Sequence, residues 1–166
     1  MHHRSFMLEC QPATFLPRAS QAKNFETIRA QWPDVALCMR LWSQVGAGFW
    51  TERARWNLAR WQTHLEQPNV SFWIARVSGQ EAGCFELTEF SRGAKIEGFG
   101  LLPSYRGQRL GRDLLTAATL QAFKTGAPKV WLHTATDDHP NALQNYLSGG
   151  YRIVRERKLA NPLKTQ

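Results

Sequence analysis

The sequence predicts an α/β fold in a single domain: a mixed, mostly antiparallel sheet with helices on both faces. Three observations carry that expectation. Residues 70–77 alternate two sets of large apolar side chains, Val70, Phe72 and Ile74 against Trp73, Ala75 and Val77, and a strand apolar on both sides is buried on both sides. Ser78-Gly79 and Arg92-Gly93 interrupt apolar runs in the manner of tight turns, which makes the flanking strands antiparallel. From Phe99 onward an apolar extended run, a basic glycine-containing turn and an apolar-periodic run follow one another, the pattern of a strand that feeds a helix.

The elements follow in order. Residues 6–11 are read as a first strand, ended by Pro12 and Pro17. Pro33-Asp34 opens a helix expected to run to about Val45, and Gly46-Ala47-Gly48 closes it. A second helix is expected over residues 52–66, because Ala54, Leu58, Trp61 and Leu65 recur at spacings of four, three and four. His64 on that helix is read as a surface residue. Strands over 70–77, 81–90 and 95–102 form an antiparallel meander, and a long helix runs from Leu110 to about Gly126. Residues 128–134 make another apolar strand. Asp137-Asp138-His139-Pro140 is read as a helix start with Pro in the first position. That helix ends at Gly149-Gly150, and a last strand covers 151–159.

Composition narrows the function classes. A hydrophobic content of 43% with seven Trp excludes a disordered chain. No apolar run approaches about 18 residues, so no membrane span is expected. Cys10, Cys38 and Cys84 are odd in number and fit no zinc or redox spacing, which predicts a reducing, cytoplasmic setting. His133, His139, Asp137 and Asp138 match no standard metal spacing, so capping is preferred and no metal is expected. The formal charge of +8 favours acidic ligands. Nucleic acid is not the expected one, because the basic cluster Arg152, Arg155, Arg157 and Lys158 has no aromatic stacking motif beside it.

The most informative stretch is Arg106-Gly107-Gln108-Arg109-Leu110-Gly111. A strand, a basic turn and a helix N-terminus together present free backbone N–H groups to phosphate. Arg106, Arg109 and Arg112 add positive charge there. The candidate phosphate donors are the backbone N–H groups of about Gln108 to Arg112.

These residues resemble the central motif of the GNAT superfamily of acyl-CoA-dependent N-acyltransferases, Gln/Arg-x-x-Gly-x-Gly/Ala. Arg106 fills the first position and Gly111 the last, while Arg109 stands where the family has its middle glycine. Ala142, Tyr146, Gly150 and Tyr151 match a second family block, Ala-x-x-x-Tyr-x-x-x-Gly-Phe/Tyr. The resemblance extends to a bacterial subset. His133-Thr134, Asp138-His139-Pro140, Ala142-Leu143 and Asn145-Tyr146 match one of its patterns. In its other pattern, Lys95 replaces an acid and Gly98 an aromatic residue.

The resemblance implies transfer of acetyl from acetyl-CoA to a primary amine by direct attack in a ternary complex. It divides the chain into residues 1–69, an N-terminal strand and acceptor-side helices, and 70–159, the acyl-CoA-binding core. It places Leu101 and Leu102 against pantetheine, with the Leu101 N–H facing the thioester carbonyl. It places the Arg106 to Arg112 turn (Gly107, Gln108, Arg109, Leu110 and Gly111 included) on the pyrophosphate, and His139 and Asn145 beside the cofactor. Tyr146 becomes the general acid for the leaving thiolate; without the resemblance it reads as a core aromatic. The general base is Glu97 or Glu86, the latter interrupting a largely apolar strand where burial raises a carboxyl pKa. Trp42, Phe49, Trp50, Arg53 and Trp56 are expected near an acceptor pocket. The acceptor is a small amine, an amino acid or antibiotic-like molecule, or a peptide amine, and a homodimer accords with the resemblance. The competing reading is a non-catalytic acyl-CoA-binding or regulatory module, which Lys95, Gly98 and Arg109 favour.

Overall fold

The structure, a computed structural model, describes residues 3–18, 24–31 and 34–158. Its elements are β1 (Arg4–Cys10), β2 (Phe25–Arg29), α1 (Val35–Val45), α2 (Leu58–Leu65), β3 (Val70–Val77), β4 (Gln80–Phe90) and β5 (Gly93–Leu101). A 3₁₀ turn (Pro103–Tyr105), α3 (Leu110–Lys124), β6 (Val130–Ala135), α4 (Ala142–Ser148) and β7 (Arg152–Lys158) complete it. Pro33 and Leu159, expected to open α1 and to end the last strand, lie outside the described residues.

Among the described residues the strands form one seven-stranded sheet in the order β2-β3-β4-β5-β6-β1-β7. Only β5 and β6 run parallel, and α3 is the crossover between them. The α/β expectation is met, with two layers of helix around the sheet. Alternation along β4 divides the core. Cys84 packs with Cys38, Leu41, Trp42 and Val45 of α1 and Trp61 of α2. Phe85 and Leu87 pack with Leu114, Leu115 and Ala118 of α3 and Tyr146 of α4.

Local chemistry explains the helix ends. Asp34 accepts a hydrogen bond from the Leu37 N–H at 3.0 Å and caps α1. Asn57 does the same for α2 through Arg60 N–H at 2.9 Å. That cap corrects the expected second helix. It begins at Leu58, not 52, because residues 51–56 are turns (Ala54 N–H to Thr51 C=O, Trp56 N–H to Arg53 C=O). The periodic set does not form one buried face. Trp61 is buried, but Leu58 is 53% exposed and Ala54 lies outside the helix.

Two further corrections follow. Pro140 is not in a helix, since α4 starts at Ala142. Asp138 caps no helix either; its Oδ2 accepts from Thr134 Oγ1 at 2.7 Å and Ala135 N–H at 2.9 Å, which fastens the turn after β6. Strand β2 has no counterpart in the sequence reading. A five-residue edge strand takes its order from the ladder with β3, so its own side-chain pattern is too short to announce it. Among the described residues no helix is long and apolar enough to cross a membrane.

Candidate active site

The site begins where the sheet opens. β5 runs to Leu101 and β6 to Ala135, yet they pair only at Ala94–Val130 and Lys95–Trp131. Past Lys95 the facing edges are unpaired, and two cavities lie there. One, of about 430 Å³, is lined by Leu101, Arg106, Gly107, Arg109, Gly111 and Asn145 among others. The second, of about 450 Å³, is lined by Trp42, Arg53, Lys95, Glu97 and His133 among others. Trp50, Phe99, Asp138 and Tyr146 line both, so the cavities meet at those four side chains.

The first cavity abuts the start of α3. Arg109 precedes the helix with φ +63°, a left-handed conformation that non-glycine residues adopt at a cost of roughly 1–2 kcal/mol. Its Cβ therefore does not prevent the turn that the family's glycine makes. The N–H groups of Leu110, Gly111 and Arg112 have no acceptor within their own helix and sit at the positive end of its dipole. Asn145 Nδ2 donates to Gly111 C=O at 3.1 Å and ties α4 to this turn.

The arginines of the turn divide their work. Arg106 Nη2 donates to Val45 C=O at 3.0 Å and Nε to Leu101 C=O at 3.2 Å. It thus clamps the end of α1 to the end of β5, beneath the Phe49 ring. Arg112 Nη2 donates to Leu16 C=O at 3.1 Å. Burial, and then the charge of Arg18, lower the Arg112 pKa. Gln108 turns away from the cavity, with Nε2 on Ser104 C=O at 3.0 Å. Leu110 lines the cavity and is buried, and His139 lines it with its ring against Phe49 at 5.9 Å.

Strand β5 supplies the cavity wall. Leu102 N–H donates to Ala82 C=O at 2.8 Å, and Leu102 C=O accepts from Tyr105 N–H at 2.9 Å. Both its backbone groups are engaged, which corrects its expected pairing with pantetheine. In an antiparallel ladder the next residue points its groups to the opposite edge. Leu101, paired across from Gly83, therefore turns its N–H toward the unpaired β6 side. Upstream, the register shifts between Cys84 and Glu86, a bulge on β5. Gly98 sits in it with φ +54°, and a Cβ there would collide with the Trp42 ring. The aromatic residue expected here from the resemblance is excluded by both conditions.

The second cavity rests on a buried charge cluster. Arg53 Nη1 and Nη2 donate to Glu86 Oε2 and Oε1, both at 2.9 Å. His64 Nε2 lies 2.8 Å from Glu86 Oε1. Arg53 Nη2 reaches Glu97 Oε2 at 3.5 Å, and Lys95 Nζ pairs with Glu97 Oε1. The Arg53 guanidinium lies 3.8 Å from the Trp42 ring centre, 4.8 Å from Trp56 and 5.0 Å from Trp61, an aromatic box that favours a cation.

Glu86 is the main correction. Its side chain is fully buried, and it lines neither cavity. Burial alone raises its pKa, as expected from sequence, but the hydrogen bonds from Arg53 and His64 outweigh it and hold the carboxyl below its ordinary value. His64, read as a surface residue, is half-buried on that carboxylate. The sequence signal for this was present: Trp61 and His64 stand three apart on α2 and share a face.

Tyr146 projects from α4 to the junction. Its ring packs against Phe99 at 5.8 Å and Tyr151 at 6.3 Å. Burial, helped by the Asp138 charge, raises its pKa, so the phenol keeps its proton at neutral pH. The three cysteines are buried thiols whose pKa values burial raises, Cys38 to about 12. None is set up as a nucleophilic thiolate. Among the described residues no group of three or more His, Cys, Asp or Glu side chains forms a metal-binding cluster. Sequence reasoning missed Val45 and Asn141 of the first cavity, which no motif marks, and read Asp138 as a helix cap although it stands in a matched pattern.

The sheet that opens between β5 and β6 against a helix N-terminus is the architecture of an acetyltransferase fold. The sequence model of the acetyltransferase (GNAT) family matches residues 31–150, and the chain belongs to that family, whose members use acetyl-CoA as co-substrate. Among functionally curated proteins, no sequence matches this chain significantly. Solved structures are similar in fold. A GCN5-related N-acetyltransferase from Kribbella flavida has TM-score 0.64 and 22% identity over 90% of this chain and 54% of that one. A spermidine/spermine N-acetyltransferase from Vibrio cholerae has TM-score 0.61 and 16% identity, covering 79% of each chain. An aminoglycoside acetyltransferase from an uncultured soil metagenomic sample has TM-score 0.65 and 18% identity over 89% of this chain and 99% of that one. The chain spans between 50% and 61% of the length of the first five solved structures it matches.

Proposed function

We propose that this protein transfers an acetyl group from acetyl-CoA to a primary amine. The observation that carries the reading is the junction: two cavities at the opened sheet meet at Tyr146, Phe99, Trp50 and Asp138. The cofactor enters the first cavity with its phosphates on the α3 turn. Arg18, Arg109 and Arg112 line that cavity, and a polyanion relieves the mutual repulsion of Arg18 and Arg112. Pantetheine runs along the free edge of β5, and Leu101 N–H faces the thioester oxygen. The acceptor occupies the second cavity, where Glu97 takes the ammonium proton directly or through water. The neutral amine then adds to the thioester carbon, and Leu101 N–H holds the oxyanion. Collapse breaks the C–S bond, Tyr146 gives its proton to the departing thiolate, and the surplus proton on the acylated nitrogen returns to the tyrosinate, which leaves a neutral amide and a free thiol.

Calorimetry with acetyl-CoA tests the cofactor half, on wild type and on Gly111→Trp, which fills the α3 turn. Micromolar binding that the variant loses supports it. Thiol release from acetyl-CoA with an amine panel tests the chemistry. One observation favours a second reading, a non-catalytic acyl-CoA-binding module. Glu97 is already engaged by Lys95 and Arg53. Binding of acetyl-CoA without thiol release across the panel decides for that reading.

A further inference from the structure

The acceptor-side face of the sheet does not end at the second cavity. α1 and α2 pack on β3, β4 and β5, whereas the principal helix contacts of β6 are with α3 and α4. On the α1 side, beyond β5, the sheet therefore presents a shelf made by β6, β1 and β7. Register fixes its side chains, because directly paired residues share a face. Met7 pairs with His133 on one side and Arg155 on the other. Ser5 pairs with Ala135 and Arg157. His133, Ser5 and Ala135 line the second cavity, so Arg155 and Arg157 continue its floor toward the sheet edge.

The shelf is cationic. Arg155 and Arg157 are exposed and have no ion-pair partner among the described residues. Burial lowers the His133 pKa, and the charges of Lys95, Arg155 and Arg157 lower it further against the opposing pull of Glu97. Three cations therefore converge on the one imidazole at the cavity rim.

We infer that the acceptor is an acidic polypeptide segment, lying across the shelf with its amine in the second cavity and its carboxylates on Arg155 and Arg157. This rests on the acetyltransferase reading and names its substrate class. Spacing decides against a small amine. Three inter-strand steps separate β5 from β7, on the order of 14 Å at about 4.8 Å each and more where β5 and β6 part. That is about four residues of extended chain. On this face the Trp131 ring is 5% exposed, and Phe90, packed against it at 5.4 Å, is an isolated exposed ring, short of the successive rings on which bases stack, which disfavours RNA.

The test uses fluorescein-labelled peptides with a free N-terminus and Glu, Gln or Lys at about the fourth and fifth positions, and a single-stranded RNA of similar length. Binding is read by fluorescence polarisation at low ionic strength, independently of turnover. Acetylation of the same peptides and of a small-amine panel is read by mass spectrometry. The inference expects the Glu peptide to bind tightest and to be acetylated with the lowest KM. Arg155→Ser with Arg157→Ser weakens it about 2- to 30-fold. Arg29→Ser with Lys124→Ser, a matched charge loss elsewhere on the surface, leaves it unchanged. Equal binding of the three peptides overturns the inference, as does tighter binding of the RNA. Acetylation of small amines with no preference for the Glu peptide overturns it and leaves the acetyltransferase reading standing. Failure to bind acetyl-CoA overturns that reading alone, while selective binding of the Glu peptide still supports the shelf.

Discussion

The two cavities that meet at Tyr146 are built by different physics. The cofactor side is local. A single turn of chain between β5 and α3 offers backbone N–H groups, and its arginines lie within seven residues of one another. The acceptor side is assembled from five separated stretches. Trp42 comes from α1, Arg53 from a turn, Trp61 and His64 from α2, Glu86 from β4, Lys95 and Glu97 from β5. On the proposed reading the first tolerates replacement of side chains, because it offers backbone N–H groups to the phosphates. The second depends on each side chain, because a buried charge left without its partner is costly.

That contrast predicts the largest effect at Glu86. Glu86→Gln leaves the caged Arg53 without its carboxylate and costs about 3–5 kcal/mol of stability, read by urea unfolding. A pH series sharpens the point. The Glu86 pKa is lowered in the fold, so its contribution is present above the unfolded carboxylate pKa and is lost as pH falls through the folded value. Wild type and Glu86→Gln therefore converge in stability in acid and separate toward neutrality. No convergence would mean that the cluster is not what holds this side together.

Next comes Tyr146→Phe, which removes one oxygen at the junction and leaves packing intact. On the acetyltransferase reading kcat falls about 10²-fold, with the acetyl-CoA Kd unchanged by calorimetry. An equal loss in Kd would move Tyr146 from proton donor to cofactor contact.

Gly98→Ala is expected to cost about 2 kcal/mol or more in thermal or urea unfolding, since it combines a left-handed backbone with a collision against Trp42. The damage should fall on the acceptor side, raising the amine KM more than the acetyl-CoA Kd. The smallest effect is the reverse in sign. Arg109→Gly relieves the left-handed cost at φ +63° and stabilises by about 0.5 kcal/mol, the strain relief outweighing the extra chain entropy. On the proposed reading acetyl-CoA affinity falls only several-fold, from the loss of one exposed charge, because the N–H groups remain where they were.

The same contrast explains what could be read in advance. The Arg106–Gly111 turn, the strand before it and the helix after it are a contiguous signal, and hydrophobic periodicity finds such signals. Periodicity failed where a side chain was drawn away from its element. Residues 52–57 read as the first turns of α2, yet Arg53 turns inward to Glu86 and Asn57 caps a helix that starts later. Glu86 itself stood out as a carboxylate in an apolar strand, but the sign of its pKa shift depended on two partners 22 and 33 residues away.

By itself the sequence determined the α/β class, the meander and crossover, and the location of the phosphate-ready turn, because each arises from neighbours along the chain. It also carried the two family blocks that place this chain among the acetyltransferases. Tertiary structure alone decided that Leu101 and not Leu102 faces the opening, that Glu86 is a buried anion held by Arg53 and His64, and that the basic C-terminal strand extends the floor of the second cavity. Each of these depends on strand register or on the partner of a buried charge. Both are set by contacts between residues far apart in sequence, where local propensity carries no information.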